Sequence, residues 1–201
     1  MIRVLVAEDQ GMVRGALRAL LELEEDIEVV AEVGRGDEVV DAARAHRPDV
    51  ALLDIEMPGR DGIEAARELA TAVPGCRAVV LTTFGRPGFL RRAMEVGAAG
   101  FLVKDAPVAE LARAIRAVVA GERVIDRELA AAALALGATP LSAREADVLR
   151  EAADGATVAD IARRLFLSEG TVRNYLSSAI GKTGARTRVE AARVAEEKGW
   201  L

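Results

Sequence analysis

Polar residues that could do chemistry follow the short apolar segments in the first half of the chain. Glu8 and Asp9 come directly after one such segment, Asp54 after another, and Thr82 and Lys104 after two more. If these segments are parallel β-strands, their carboxyl ends lie at one edge of a sheet, where open α/β sheets bind their ligands. We therefore expect the five side chains to share one pocket.

Three carboxylates in one pocket repel each other unless a cation lies between them. A hard cation that prefers oxygen ligands and retains some of its water fits best, and Mg²⁺ is that cation. An aspartate beside Mg²⁺ and a lysine is a suitable nucleophile for phosphoryl transfer, with an acyl phosphate as the product. For each residue taken alone, the alternative is that it only ends a strand or lies in a solvated loop.

The apolar periodicity predicts the elements that would position these residues. Strands are predicted at 2–7, 28–33, 50–53, 78–81 and 100–103, and amphipathic helices near 12–22, 37–46, 62–71, 88–96 and 107–120. Five successive β-α units predict a parallel sheet that is covered by helices on both faces. With right-handed crossovers, the simplest result is a five-stranded, doubly wound α/β fold of the flavodoxin-like type.

The second half of the chain shows helical periodicity without strands. We interpret residues 121–138 as a linker that carries a short alanine-rich helix, between a first domain at 1–120 and a second at 139–201. Ser142 and Glu145 have the spacing of a capping box at a helix start. The second domain is therefore predicted to be all-α.

Three further helices are expected in that second domain. Two begin at Thr157 and Ser168, and the last covers about 187–198. Four helices are therefore predicted in this domain, and two of them have apolar residues with the spacing needed to pack across each other, namely Ile161, Leu165, Val172 and Leu176.

Charge is distributed unevenly between the two halves. Residues 1–130 contain 17 basic and 23 acidic residues, whereas residues 131–201 contain 10 basic and 9 acidic residues. Within 163–188, six basic residues accompany one acid, Glu169. A locally basic pair of helices on an acidic protein is typical of a surface that contacts phosphates. A solvated helical face is the alternative.

Composition excludes several classes of protein. Apolar residues make up 51% of the chain, which is enough for packed cores. Cys76 is the only cysteine, so that an internal disulfide and a zinc site built from cysteines are excluded. There is no apolar run of transmembrane length, and the first residues lack the form of a secretion signal. We therefore expect a cytoplasmic protein.

The pair Glu8-Asp9, the segment Asp54-Ile55-Glu56-Met57-Pro58-Gly59, Thr82 and Lys104 together resemble the receiver domain of two-component response regulators. The resemblance covers about residues 1–120. It implies that Asp54 accepts a phosphoryl group from a histidine kinase. It also implies a Mg²⁺ site formed by Glu8, Asp9, Asp54 and the backbone carbonyl of Glu56.

The same resemblance implies a switch that registers phosphorylation. Thr82 and Phe101 occupy the switch positions, and Lys104 the position that contacts the phosphoryl group. In that family the hydroxyl moves toward the phosphoryl group and the aromatic ring turns inward. Thr83 is the alternative for the hydroxyl role. Thr82 is preferred because it directly follows the apolar strand segment.

The second half resembles the LuxR-type helix-turn-helix domain of the NarL/FixJ group of response regulators. The resemblance lies in Leu141–Glu145, Ile161–Ala162, Leu165, Ser168 and Thr171–Tyr175. It implies that the helix after Ser168 enters the major groove of DNA. The residues implied to face bases are Arg173, Asn174 and Ser177, and those placed for phosphates are Thr171, Lys182 and Arg188.

The helical half leaves two points open. Glu169 is unfavourable beside DNA unless its side chain points away. The alternative function for this half is a protein-interaction module, because basic helices also bind acidic partners. Several stretches, among them 81–84 and 170–177, resemble one subgroup of this family that is paired with a membrane histidine kinase.

Dimerisation on phosphorylation would place two recognition helices on two DNA half-sites. We expect the dimer face on the first and fifth helices, at Val13, Leu17, Leu111, Ile115 and Val118. The expected partners are the kinase, operator DNA and RNA polymerase, and the expected role is not that of an enzyme beyond the chain's own phosphorylation and dephosphorylation. The alternatives are a small α/β hydrolase, such as a phosphatase, and a DNA-binding protein that acts without phosphorylation.

Overall fold

The computed structural model describes residues 1–83, 87–105, 107–126, 129–131, 133 and 139–201. These residues form two compact units, one within residues 1–85 and 90–131 and the other within residues 86–89 and 132–201. Each unit has its own hydrophobic core.

Strands and helices alternate through the first unit. Its strands are β1 (Ile2–Ala7), β2 (Ile27–Val33), β3 (Val50–Asp54), β4 (Arg77–Thr82), β5 (Gly100–Val103) and β6 (Val124–Ile125). Its α-helices are α1 (Gly11–Leu21), α2 (Val39–His46), α3 (Gly62–Ala72), α4 (Pro87–Glu95) and α5 (Val108–Val119), and a 3₁₀ turn at Gly36–Glu38 precedes α2.

The strands form one parallel sheet in the order β2-β1-β3-β4-β5-β6. The chain first winds outward from β1 to β2, and then crosses to β3 and continues in the opposite direction. The crevice between the carboxyl ends of β1 and β3 is therefore the topological switch point, where such sheets bind ligands. The predicted parallel, doubly wound architecture is confirmed.

One strand was not predicted. β6 pairs with β5 through Gly100 opposite Val124 and Phe101 opposite Ile125. Two residues are too few to show a strand period, and they lie within the segment that we interpreted as a linker. Residues 129–131 of that segment are helical, whereas 127–128, 132 and 134–138 lie outside the described residues. The predicted domain boundaries themselves stay a prediction.

Two apolar layers cover the faces of the sheet. On one face, Val4, Val50 and Val79 pack with residues of α1 and α5, including Leu21 and Ile115. The other face, which includes Leu5 and Ala51, packs against Val39 and Ala43 of α2 and Ala65 and Leu69 of α3. All five residues of β3 are buried, so Asp54 ends a strand that is enclosed on both sides.

The second unit consists of helices in its described residues 139–201. They are α6 (Ala143–Ala153), α7 (Val158–Arg164), α8 (Glu169–Thr183) and α9 (Arg188–Glu197). Ile161 and Val172 are fully buried in the core between α7 and α8, as their spacing predicted. The predicted all-α second domain is therefore confirmed.

A side chain caps the start of each helix in this unit. The hydroxyl groups of Ser142, Thr157, Ser168 and Thr187 accept hydrogen bonds from backbone N–H groups in the first turn of α6, α7, α8 and α9 respectively. Each such bond satisfies one of the unpaired donors at a helix start. None of the described helices in either unit has the length and apolar character that a bilayer crossing requires.

Candidate functional site

An acidic cluster lies at the switch point of the sheet. Glu8 and Asp9 follow β1 and Asp54 ends β3, and one carboxylate oxygen from each lies within 4.8 Å of the others. Glu8 and Asp54 are buried, with relative exposures of 0% and 4%, whereas Asp9 is exposed. The oxygen atoms form a donor set of the kind that a hard divalent cation prefers.

Lys104 joins this cluster from the end of β5. Its Nζ lies 2.6 Å from Glu8 Oε2 and 2.9 Å from Asp54 Oδ1. The backbone N–H of Lys104 donates to the carbonyl of Thr82 at 2.8 Å, which fixes the end of β5 beside the end of β4. The structure thus brings together the acids and the lysine that the sequence predicted to share one pocket.

The electrostatics of the cluster reflect its burial. Desolvation raises the pKa of Glu8, and the nearby charge of Asp54 raises it further, although the hydrogen bond from Lys104 opposes both effects. Burial alone would lower the pKa of Lys104, but its hydrogen bonds to Glu8 and Asp54 raise it above the ordinary value. Lys104 is therefore a stable ammonium group inside an acidic pocket.

The loop after Asp54 is held by close backbone contacts. Ile55 N–H donates to the carbonyl of Leu81 at 3.2 Å, and Gly62 N–H donates to the carbonyl of Ile55 at 3.0 Å. A Cβ atom at Gly62 would lie 2.0 Å from the carbonyl oxygen of Asp54, so that no side chain fits there. The requirement for glycine at position 62 was not predicted from the sequence. The one feature of the sequence that indicates it is the position of Gly62 directly after Asp61, the N-cap residue of α3.

The predicted switch residues lie on the neighbouring strands. Thr82 ends β4 and is buried, whereas the alternative, Thr83, is exposed. Phe101 on β5 is fully buried. Glu56, whose backbone carbonyl is the predicted fourth Mg²⁺ ligand, lies two residues after Asp54, and its side chain is exposed. Thr82 is therefore the hydroxyl at the edge of the sheet where the acids and Lys104 also lie.

In the second unit, α8 presents the residues that were predicted to face DNA bases. Arg173, Asn174 and Ser177 are exposed. The negative charge of Glu169, which would repel DNA, is paired with Arg173 one turn along the same helix. Arg173 Nη2 donates a hydrogen bond to Glu169 Oε2 at 2.7 Å. Thr171 lies in the first turn, where its N–H donates to the N-cap hydroxyl of Ser168.

A buried carboxylate ties α8 to α6. Glu145 of α6 is 5% exposed, and its two oxygens accept hydrogen bonds from Ser178 Oγ at 2.6 Å and Lys182 Nζ at 2.7 Å. It also accepts from the backbone N–H of Ser142 at 2.6 Å. Burial alone would raise the pKa of Glu145, but these hydrogen bonds outweigh burial and lower it to about 2.

This network gives Lys182 a partner that the sequence did not suggest. The residue was predicted to contact phosphate, and its side chain is 37% exposed, but its ammonium group is bound to Glu145. Arg188, the other predicted phosphate contact beyond α8, donates to the carbonyl of Ala156 at 3.1 Å. Both residues therefore hold the helical unit together, whatever they contact in addition.

Part of the predicted dimer face was wrong. Ile115 and Val118 are fully buried in the core between α5 and the sheet, and Leu111 is 8% exposed. They are apolar because they pack against strands, so they are unavailable to a second chain. Val13 and Leu17 on α1 are half-buried and line an apolar cavity of about 180 Å³ together with Leu111.

Comparison with known proteins agrees with this geometry. Residues 4–116 match the response regulator receiver domain, and residues 139–195 match the LuxR family of bacterial regulatory proteins. The chain therefore belongs to the two-component response regulators that combine a receiver with a LuxR-type DNA-binding domain, as the NarL/FixJ-type regulators do.

Individual relatives extend the match over the whole chain. The transcriptional regulatory protein DesR of Bacillus subtilis is 46% identical over 201 residues, covering 100% of both chains. The response regulator RamR of Streptomyces coelicolor is 41% identical and covers 100% of this chain and 98% of its own. One relative is a transcriptional regulatory protein and the other a response regulator, so the comparisons favour a regulator over a small α/β hydrolase.

Solved structures of response regulators show the same folds. The response regulator ChrA of a heme-sensing two-component system aligns with a TM-score of 0.60 at 35% identity, covering 100% of this chain and 98% of its own. The response regulator RcsB, in its complex with DNA, aligns with a TM-score of 0.69 at 26% identity, covering 98% of each chain. The chain is thus a two-component response regulator that controls transcription.

Proposed function

We propose that a histidine kinase phosphorylates Asp54, and that phosphorylation promotes dimerisation and sequence-specific binding to operator DNA. The observation that carries this proposal is the environment of Asp54. Its carboxylate is nearly buried, pairs with Lys104 Nζ at 2.9 Å, and lies with Glu8 and Asp9 at the switch point of the sheet. Such a pocket can hold an additional dianion only if cations neutralise it.

The chemical step is the transfer of a phosphoryl group between two side chains. A carboxylate oxygen of Asp54 attacks phosphorus, the phosphorus–nitrogen bond of the kinase's phosphohistidine breaks, and its electron pair remains on the imidazole nitrogen, which takes up a proton. Lys104 is within hydrogen-bonding distance of Asp54 and would bind a phosphoryl oxygen. The ammonium group of Lys104 would then be shared between that oxygen and Glu8, whose Oε2 it contacts at 2.6 Å.

The cluster fits Mg²⁺, because its donors are oxygens from three carboxylates with one lysine to balance them. Glu8, Asp9, Asp54 and the backbone carbonyl of Glu56 are the residues that would hold the ion. When bound, Mg²⁺ supplies positive charge to the transferring phosphoryl group. Burial and, after it, the charge of Asp54 raise the pKa of Glu8, and a bound cation would favour the charged form of that carboxylate.

Thr82 and Phe101 would transmit the change. A phosphoryl group on Asp54 adds acceptor oxygens at the ends of β3 and β4, where the hydroxyl of Thr82 can donate to them. Phe101 lies beside Val80 across the β4–β5 pair. A movement of Thr82 at the end of β4 would therefore change the packing of β4 against the buried ring of Phe101.

The first test is the intact mass of the full chain after incubation with Mg²⁺ and acetyl phosphate. Wild type should gain one phosphoryl group and Asp54→Asn none. Asp41→Asn, which alters an exposed acid on α2, is the matched control and should react as wild type does. Wild-type protein that is folded, remains unmodified and shows no beryllofluoride complex by ¹⁹F NMR would refute the assignment.

The proposed DNA contacts lie on α8. Arg173, Asn174 and Ser177 would contact base edges, and Thr171, Lys182 and Arg188 would contact phosphates. Arg173→Ala should weaken binding to a duplex selected from a random library by about tenfold or more. It should also relax the sequence preference at the base pair that Arg173 contacts, whereas a reduction of about 1 in the slope of log affinity against log salt would indicate a phosphate contact instead. Arg193→Ala on α9, which removes another exposed, paired arginine, is the control.

The dimer proposal now rests on α1. Val13 and Leu17 remain partly exposed after the core residues of α5 are excluded, and the neighbouring Met12 is 90% exposed. Val13→Asp should keep the beryllofluoride-treated chain monomeric in sedimentation, whereas Leu23→Asp, at another exposed apolar residue, should not. Dimerisation of both variants would exclude this face. The kinase, expected to lie in the membrane, and RNA polymerase are the further proposed partners.

A further inference from the structure

Phe166 has no evident role in the fold of the helical unit. Its side chain is 94% exposed, the highest exposure among the large apolar residues of the described chain. Its backbone has φ = +55°, in the left-handed region that glycine and asparagine occupy readily and aromatic residues rarely do. Folding alone would therefore favour a different residue at this position.

The turn that carries Phe166 is held on both sides. Leu165 N–H donates to the carbonyl of Ile161 at 2.9 Å, and Leu167 N–H donates to the carbonyl of Ala162 at 2.8 Å. Leu165 and Leu167 both pack against the core. The ring of Phe166 is thus displayed outward by a fixed backbone, which limits the entropy that a contact with a partner would cost.

The surroundings of the turn are compatible with nucleic acid. Phe166 lies two residues before Ser168, the N-cap of α8, so it stands beside the positive end of that helix. Arg163 and Arg164 precede it and remain 75% and 56% exposed. Their partners Asp160 and Glu151 balance their charges, so the turn presents no excess negative charge to DNA.

We propose that Phe166 is a further DNA-contacting residue, whose ring makes an apolar contact with the operator at the edge of each half-site. The inference rests on the proposed entry of α8 into the major groove. When the first turn of α8 lies among the bases, the turn before Ser168 lies at the groove edge, where deoxyribose carbons and thymine methyl groups are apolar surfaces. The ring would contribute affinity without contributing charge.

The test uses the full chain with beryllofluoride and a duplex that wild type selects from a random library. Phe166→Asn retains a residue that accepts positive φ but lacks the ring. We expect its affinity to fall by about tenfold, as for the loss of one buried aromatic contact. Its salt slope should equal that of wild type because no charge is removed, and its melting temperature should be unchanged or higher.

Two parallel variants separate the possible failures. Leu23→Asn, which removes another exposed apolar side chain in the first unit, should bind as wild type. If Arg173→Ala binds as tightly as wild type, the proposed entry of α8 is wrong. If Arg173→Ala weakens binding but Phe166→Asn does not, the Phe166 contact is overturned. Normal DNA binding by Phe166→Asn together with lost transcription in vitro would assign the ring to RNA polymerase instead.

Discussion

The two units begin their helices in different ways. All four helices described in the second unit have a Ser or Thr side chain that accepts from the first turn, and two of them form a capping box. In the receiver, α3 is capped by Asp61, whereas α1, α2 and α5 have no side-chain cap at their described N-caps. The helices of the receiver are fixed instead by packing against a buried sheet.

This difference in how the helices are fixed corresponds to the different functions of the two units. The receiver gathers Glu8, Asp54 and Lys104 from distant strands into a buried pocket, so its chemistry depends on long-range packing. The helical unit displays exposed residues along α8, so its recognition surface depends on where that helix starts and how it is held. Substitutions should therefore damage the two functions by different routes.

The largest expected effect comes from Gly62→Ala in the receiver. A Cβ atom 2.0 Å from the carbonyl oxygen of Asp54 meets backbone, which cannot move without displacing the phosphoacceptor. The free energy of unfolding should fall by about 3 kcal/mol, and phosphoryl uptake should be lost with it. Circular dichroism during urea unfolding and intact mass measure the two effects.

Gly15→Ala provides the matched control for that substitution. A Cβ atom at Gly15, in the exposed part of α1, would have no neighbour within 4 Å. Alanine is the better helix former there, so this variant should be more stable than wild type by about 0.5–1 kcal/mol. Equal stability of the two alanine variants would contradict the close packing around Asp54.

The next largest effect is expected for Glu145→Gln in the helical unit. The substitution leaves Lys182 without its counter-ion and weakens the link between α6 and α8, at a cost of about 2 kcal/mol. Trp200 and Tyr175 are the only tryptophan and tyrosine of the chain, so their fluorescence reports unfolding of this unit alone. Unchanged urea unfolding by this signal would mean that the network is not stabilising.

The same carboxylate makes the helical unit sensitive to acid. The pKa of Glu145 is about 2 in the folded state, against an ordinary value of 4.5. Its contribution to stability is therefore fully present above about pH 4.5 and is lost as the pH falls toward about 2. In Trp200 fluorescence, wild type should lose its advantage over Glu145→Gln across this interval. A constant difference between the two proteins would exclude Glu145 as the source.

The smallest effect separates capped from uncapped helix starts. Thr157→Ala removes the hydroxyl that accepts from Asp160 N–H at 3.2 Å, and should destabilise the helical unit by about 1 kcal/mol. Gln10→Ala, at the N-cap of α1, should change the stability of the receiver by less than about 0.5 kcal/mol, since no side-chain cap is lost. Similar losses in both units would contradict the comparison.

The sequence predicted local structure well where one pattern was sufficient. The bounds of β1 and β5 agree with the predicted segments, because each is an apolar run ended by a polar residue or a turn. The capping box at Ser142 and Glu145 was also read from spacing alone and is present. β6 was missed because a two-residue strand carries no period of its own and depends on β5 for its hydrogen bonds.

The prediction of the dimer face was wrong at apolar residues that could pack either against their own sheet or against a second chain. Ile115 and Val118 were assigned to a dimer face because α5 has more apolar residues than a narrow stripe needs. In the structure, α5 buries Ile115 and Val118 completely against its own sheet and leaves Val119 exposed. A count of apolar positions on a helix does not reveal how much surface its own domain will cover.

The sequence by itself determined the order of the elements other than β6, the residue types at the strand ends and the starts of the helices in the second unit, because these are encoded by short-range patterns. Only the tertiary structure decided that Lys104 pairs with both Glu8 and Asp54, that Glu145 holds Lys182, and that Gly62 must lack a side chain. Each of these depends on distances between residues far apart in the chain, which the packing of the folded units sets.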